Sequence, residues 1–167
     1  MGNIVKGIRM SELFKIFIDR LKDGHSQKIS EEVSSEFLDM DEQDLSFAEK
    51  VTVEGESYLA DDHIILHLKI TTSSFVPCSI CNEIFEFPIE IDDFYHAESL
   101  EEIPAAIFDF SSQIREAILL QVPPFSECHE GNCPERKLIT PFLKKLDETS
   151  LKKTQLNTHF PFADIEK

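Results

Sequence analysis

The sequence has no tryptophan, only 5 glycines, no long apolar run and little basic charge. Most of these shortages remove a class of function. Five glycines in 167 residues leave almost no material for the glycine-rich loops that cradle phosphates, and no P-loop or G-x-G-x-x-G fingerprint occurs. G-x-S-x-G and H-E-x-x-H are also missing, so neither a nucleophile elbow nor a metalloprotease helix is encoded. Nowhere do 18 consecutive apolar residues occur, which removes the transmembrane helix. The opening stretch MGNIVKGIRMSELFKIFIDRL lacks the apolar segment of a signal peptide, and Lys6 stands where a myristoylation motif has Ser or Thr. The expectation is a soluble cytoplasmic protein, in which four cysteines do not form a secreted disulfide framework.

Cations are the most telling shortage. Asp and Glu number 32 against 16 Lys and Arg, a formal net charge of −16 and a pI near 4.6. Nucleic-acid backbones are bound by Lys and Arg that release counterions, so such a chain is a poor direct RNA or DNA binder. A large acidic charge instead solvates the protein, repels membranes or attracts a basic partner. The 41% hydrophobic content, with 14 Phe, marks a globular chain long enough to bury a core.

Along the chain the charge is uneven. Residues 1–29 carry six basic and three acidic side chains, net +3. Residues 30–133 carry 24 acids against Lys50, Lys69 and Arg115, net −21. Residues 134–167 carry seven basic and five acidic groups, net +2. The division expected is a β-rich core domain over 1–133 and a Lys-rich helical extension over 134–167 with a C-terminal docking tail.

Phe14, Ile16 and Ile18 alternate with Lys15, Phe17 and Asp19, as in a strand, although Met10, Phe14, Phe17 and Leu21 also have helical spacing. Gly24 closes this stretch. Ser30 reads as an N-cap with Glu31 and Glu32 in the first turn, and Val33 and Phe37 give a short helix 31–40 its apolar stripe. Val51 and Val53 begin a β pattern in which Gly55 suggests a turn or bulge. After a polar turn at Asp61-Asp62, Ile64, Leu66, Leu68 and Ile70 alternate with His63, Ile65, His67 and Lys69. Phe85, Phe87, Ile89 and Ile91 follow, with Pro88 on the outward phase as on an edge strand. These runs predict an antiparallel sheet covered on one face. Ser111 or Ser112 can cap a helix carrying Ile114, Ala117, Ile118 and Leu120, ended by Pro123-Pro124. Leu138, Phe142 and Leu146 suggest a last helix, kinked or started by Pro141, with Lys144 and Lys145 near its end. The fold class expected is α+β: a small antiparallel sheet, barrel-like or half-open, with three to four short helices on one side.

All four cysteines fall in two pairs, Cys78-x2-Cys81 and Cys128-x4-Cys133, separated by 46 residues. Zinc prefers four soft ligands in a tetrahedron, and a two-residue spacing lets both sulfurs of a knuckle face one ion. Pro77, Gly131 and Pro134 supply turns beside the pairs. A structural four-cysteine site is therefore expected. A redox Cys-x-x-Cys, a single disulfide or two unrelated surface pairs remain alternatives. Against the redox motif, the segment after Cys81 reads as a strand, not as the helix such a motif opens.

Other candidates have weaker patterns. His129 could replace Cys128 as a ligand, but a histidine in a polar loop is more often solvent-facing. His63 and His67 would lie roughly 13 Å apart on a strand, too far to share an ion. Asp39-Met40-Asp41-Glu42-Gln43-Asp44 and Asp92-Asp93 could hold a cation or work as acid and base, but nothing in their spacing selects a reaction.

Pro77-Cys78-Ser79-Ile80-Cys81 after a β-rich region, followed at once by an alternating strand, resembles the central motif of the YceD family. These are the bacterial large ribosomal RNA subunit accumulation proteins, also found in chloroplasts. Phe108-Asp109-Phe110 with Ile114, Glu116, Ile118, Leu119 and Leu120 resembles the family's I-D-L…E-x-I-x-L-x-L-P helix, with Pro123-Pro124 at its proline. Cys128 and Cys133 match the second cysteine segment, and Pro161-Phe162-Ala163 the family's P-F-A-x-L end. Ile80 departs from the Arg that many members carry, and the second cysteine pair is more complete than in some. The resemblance implies a role in ribosome biogenesis, with loss lowering large-subunit (23S) ribosomal RNA, and implies no catalytic residue.

Together these readings predict a non-enzymatic assembly factor with a structural zinc ion on Cys78, Cys81, Cys128 and Cys133. Its partner would be a basic ribosomal protein or large-subunit assembly intermediate, and RNA could be touched only through the basic flanks. No membrane or small-molecule substrate is expected. An unrelated zinc-stabilised acidic interaction module is the alternative, and a thiol oxidoreductase the third class.

Overall fold

Alternation at Ile64, Leu66, Leu68 and Ile70 builds the spine of the fold, strand β5 (His63–Pro77), whose even-numbered side chains are buried. The computed structural model describes residues 14–40 and 42–142. Before β5 come β1 (Lys15–Phe17), β2 (Ser26–Ser34), β3 (Ser46–Phe47) and β4 (Lys50–Ala60). After it come β6 (Ile84–Ser99), β7 (Ile107–Asp109), the helix α1 (Ser111–Gln121) and the single turns α2 (Cys128–Gly131) and α3 (Arg136–Ile139). In the main antiparallel sheet β2 pairs β4, β4 pairs β5, and β6 runs along the other side of β5. β3 extends the line of β4 beside Ser74 and Phe75. The class is α+β, and the sheet is open rather than closed into a barrel. No helix among the described residues is long and apolar enough to cross a membrane.

One face of the sheet carries the core. Val51, Val53, Ile89 and Ile64, Leu66, Leu68 and Ile70 of β5 meet a cover made by the β1–β7 pair and by Ile114 and Ile118 of α1. Phe110 packs edge-on to Phe14, with ring centroids 5.5 Å apart. The period-2 reading of Phe14, Ile16 and Ile18 thus describes β1, with all three buried. Outward, Glu54 faces Lys69 and Glu56 faces His67 across the β4–β5 ladder, so the second face is largely polar, with Ile65 buried beside Tyr58 as its apolar exception. Half-coverage follows from the alternation.

Several local expectations are corrected. Residues 31–34 belong to β2 and Ser35–Leu38 is a 3-10 turn, so Ser30 caps nothing and the helix 31–40 does not form. Ser34 is the cap, its Oγ accepting from Glu36 N at 3.4 Å. Ladder bonding to β4 satisfies residues 31–34, whereas an isolated ten-residue helix is marginal in water. Gly55 lies within a continuous stretch of β4, paired with Ile29 and Leu68, and makes neither turn nor bulge. The register shift sits between Leu68 and Ile70, where Asp92 and Asp93 of β6 oppose Lys69. Lys69 pairs with Asp92 at 2.6 Å there. Helix α1 is capped from outside by Asp109, whose Oδ1 accepts from Ser111 N and Oγ, so neither Ser111 nor Ser112 is the cap. Leu120 faces solvent rather than the core.

Pro88 keeps its predicted place on the free edge, since β6 pairs only with β5 among the described residues. Cys78 N donates to Glu83 O, so by antiparallel alternation the odd residues of β6 near the knuckle bond to β5. Pro88, an even residue, forfeits no ladder bond and removes one outward N–H from the edge. Beyond the cysteines, α3 passes into a 3-10 turn at Thr140–Phe142, with Leu138 and Phe142 exposed. Leu146, Lys144, Lys145, residues 161–163 and most of the 134–167 extension lie outside the described residues.

Ser57 of β4 is fully buried, and its hydroxyl has no hydrogen-bond partner. An unsatisfied buried hydroxyl costs about 1–3 kcal/mol. Ser57→Ala is therefore expected to raise stability by about 1 kcal/mol in urea denaturation. A loss of that size would mean that the hydroxyl is bonded in solution.

Candidate metal centre

The first cysteine pair is the turn between the two longest strands. β5 ends at Pro77 and β6 starts at Ile84, and the chain reverses through Cys78–Glu83. Asn82 N donates to Cys78 O and Cys78 N to Glu83 O, both at 2.9 Å. Asn82 adopts φ 63, the left-handed region that Asn tolerates better than most residues. This reversal turns Cys78 and Cys81 toward the same point. Ile80 N donates to Cys78 Sγ at 3.4 Å.

The second pair arrives from the end of α1. Pro123-Pro124 direct the chain back toward the β5–β6 turn, where Ser79 N donates to Ser126 O at 2.8 Å and Ser126 N to Ser79 Oγ at 3.1 Å. Cys128 N then donates to Cys78 Sγ at 3.4 Å. His129, Glu130 and Gly131 all have positive φ (54, 53 and 85), so α2 is a left-handed turn and returns the chain to Cys133. Asn132 Nδ2 reaches the carbonyls of His129 and Glu130. Behind the turn, the Arg136 guanidinium grips the Glu127 carboxylate with both oxygens engaged.

The four Sγ atoms lie within 4.8 Å of one another, and Cys81 and Cys128 are 3.8 Å apart. A disulfide needs about 2.05 Å, so no two of these free thiols are bridged. A tetrahedron with Zn–S arms of about 2.3 Å has edges of about 3.8 Å. The donor set and its dimensions therefore fit a tetrahedral thiophilic ion. Cys78, Cys128 and Cys133 are buried and Cys81 is half-buried, in a small cluster with Ile80 and Phe85 that is separate from the main core.

The thiols are electrically unequal. Burial pushes Cys78 up, but N–H groups of Cys128, Cys81 and Ile80 outweigh it and bring its pKa down to about 6. At Cys81 the Glu83 N–H favours the thiolate, yet burial and the thiols of Cys78 and Cys133 leave it raised. Cys128 is pushed well up by burial, with Cys78, Cys133 and Cys81 adding to it. Cys78 offers a ready thiolate, whereas Cys81 and Cys128 must lose protons to bind a cation.

The structure thus brings together all four predicted ligands, and they could hold a metal ion. His129 points into solvent while Cys128 is buried in the cluster. His63 and His67 stand apart on the open face, each within 2.8 Å of an aspartate, Asp62 and Asp93. Among the described residues, no further group of three or more His, Cys, Asp or Glu converges, Asp39, Glu42 and Asp44 included, and Asp41 of that cluster lies outside the described residues. Sequence reasoning missed the clasp of Ser79 with Ser126 and the Glu127–Arg136 brace. The only sequence signal for the clasp is a small hydroxyl residue inside the first knuckle. Compared with family models, curated proteins and solved structures, the chain matches none.

Proposed function

We propose that the chain is a non-enzymatic ribosome biogenesis factor supporting accumulation of large-subunit ribosomal RNA, with structural zinc on Cys78, Cys81, Cys128 and Cys133. It acts by binding a basic ribosomal protein or a large-subunit assembly intermediate. The observation that carries the mode of action is the fate of the cations in the −21 segment. Lys50 is paired with Glu32, Lys69 with Asp92, and Arg115 Nε donates to Leu38 O at 2.7 Å. Against 24 acidic side chains these three cations build no basic face, so the field over 30–133 is acidic and favours a basic protein. The ribosomal assignment rests on the resemblance of the knuckle, of Phe108–Asp109–Phe110 with α1, and of the second cysteine segment.

Depletion of the protein is expected to lower large-subunit ribosomal RNA selectively, and unchanged levels would leave only the acidic interaction module. At low salt the full-length protein should retain basic ribosomal proteins and release them at high salt. Tight ribosomal RNA binding that survives neutralising the Lys and Arg residues of both basic flanks, 1–29 and 134–167, would overturn the protein route. A thiol oxidoreductase would also lower a cysteine pKa, as at Cys78. Cys78 is only 1% exposed, however, and no helix begins there to present it to a substrate.

A further inference from the structure

Between the free edge of β6 and the loop leading to Cys128 lies a cleft of about 510 Å³. Phe85, Phe87, Pro123 and Phe125 form its apolar lining, and Glu86 and Glu130 stand on its rim. We propose that this cleft is a docking site for a basic segment of a partner protein that inserts one aromatic or long aliphatic side chain between flanking Lys or Arg residues. The proposal rests on the reading of the acidic segment as a partner for basic protein, and assigns the place where contact is made.

Three observations lead there. Phe125 is 84% exposed, a large apolar side chain held in water beside two half-buried phenylalanines. Scattered single exposures are ordinary, but an exposed ring lining a concave apolar site marks a place for a ligand. Glu86 and Glu130 have no cationic partner among the described residues, whereas Glu127 in the same wall is neutralised by Arg136. An unpaired acidic rim selects a cationic occupant and repels phosphate, so RNA and anionic lipid are disfavoured here. Finally, Pro88 lines the cleft and withholds an N–H from the strand edge. An added β-strand is thus blunted at this point, and recognition passes to side chains in the pocket.

The walls are also well fixed. One is β6, in the main sheet, and the other is tied to the β5–β6 turn by the Ser79–Ser126 pair and by Cys128 N donating to Cys78 Sγ. Little ordering remains to be done on binding, which favours affinity.

The test uses the full-length protein and a fluorescent Lys/Arg-rich peptide with one central Phe, read by anisotropy at low salt. Replacing that Phe by Ala, or Phe125→Ala in the protein, is expected to weaken binding about tenfold. The pair Glu86→Gln with Glu130→Gln should weaken it and flatten its salt dependence. Glu54→Gln with Glu56→Gln, on the open sheet face, should leave affinity within about twofold of the original. No binding of the parent peptide, an unchanged affinity in Phe125→Ala, or an equal loss in the sheet-face pair would overturn the proposal. The ribosomal reading fails separately: normal ribosomal RNA after depletion sinks it while the cleft stands. Full rescue of depleted cells by Phe125→Ala sinks the cleft while that reading stands.

Discussion

Chelation of the purified protein is expected to remove one zinc ion per chain and to loosen only one end of the fold. Zinc binding by short cysteine-rich peptides contributes about 10–16 kcal/mol and is inseparable from their folding. Here the cysteines form their own cluster with Ile80 and Phe85, apart from the core under the sheet. The circular dichroism of the sheet should therefore survive, while amide protection falls in the two knuckles, around 78–84 and 124–136. Cys78→Ser and Cys133→Ser, one from each knuckle, should both lose the ion. Metal affinity should fall as pH is lowered, because protons compete for the sulfurs. Cys78, with its pKa near 6, holds a thiolate at neutral pH, whereas Cys81 and Cys128 are raised and must release protons on binding. Competition with a chromogenic chelator between pH 5 and 8 measures this slope. Freshly purified reduced protein without metal, or an ion retained in both serine variants, would return the cysteines to packing or redox roles.

What could be read from the sequence depended on whether a pattern had one physical meaning or two. Ile64, Leu66, Leu68 and Ile70 alternate over too long a run to be anything but a half-buried strand, and they form the spine of the sheet. Pro88 was legible for the same reason, because a residue without an N–H is confined to the outward phase of an edge. Val33 and Phe37, by contrast, have a spacing that serves a helix face and also one face of a strand. Pairing with Val51 put Val33 in a strand and left Phe37 to the 3-10 turn that follows, and nothing within residues 30–40 could have decided this. The cysteine pairs were legible as ligands because the residue type and spacing are chemically narrow. How they meet was not, since it depends on Ser79 and Ser126 joining segments 47 residues apart. The cleft beside them is likewise tertiary: Phe85 and Phe87 read as core residues until Pro123–Gly131 are placed against them.

Gly55→Ala is expected to be the most damaging single substitution in the sheet, lowering stability by on the order of 3 kcal/mol. A Cβ at this position would lie 2.1 Å from the carbonyl oxygen of His67 and 2.9 Å from Leu68 Cα. Both are backbone atoms of β5, so no side-chain rotation relieves the clash, and β4 and β5 would have to part at the centre of the sheet. The φ of 148 adds strain of its own, since L-residues rarely occupy it. Gly24 supplies the control. It also has positive φ, at 79, but a Cβ there would meet nothing within 4 Å, so Gly24→Ala should cost only the left-handed backbone, about 1–2 kcal/mol. Urea denaturation of the two variants separates close approach from backbone strain, and equal losses would remove the close-approach argument. Because the cysteine cluster is packed apart from the main core, Gly55→Ala should keep its metal at temperatures where the sheet remains folded. Early metal loss would instead mean that the knuckles borrow their geometry from the middle of the sheet.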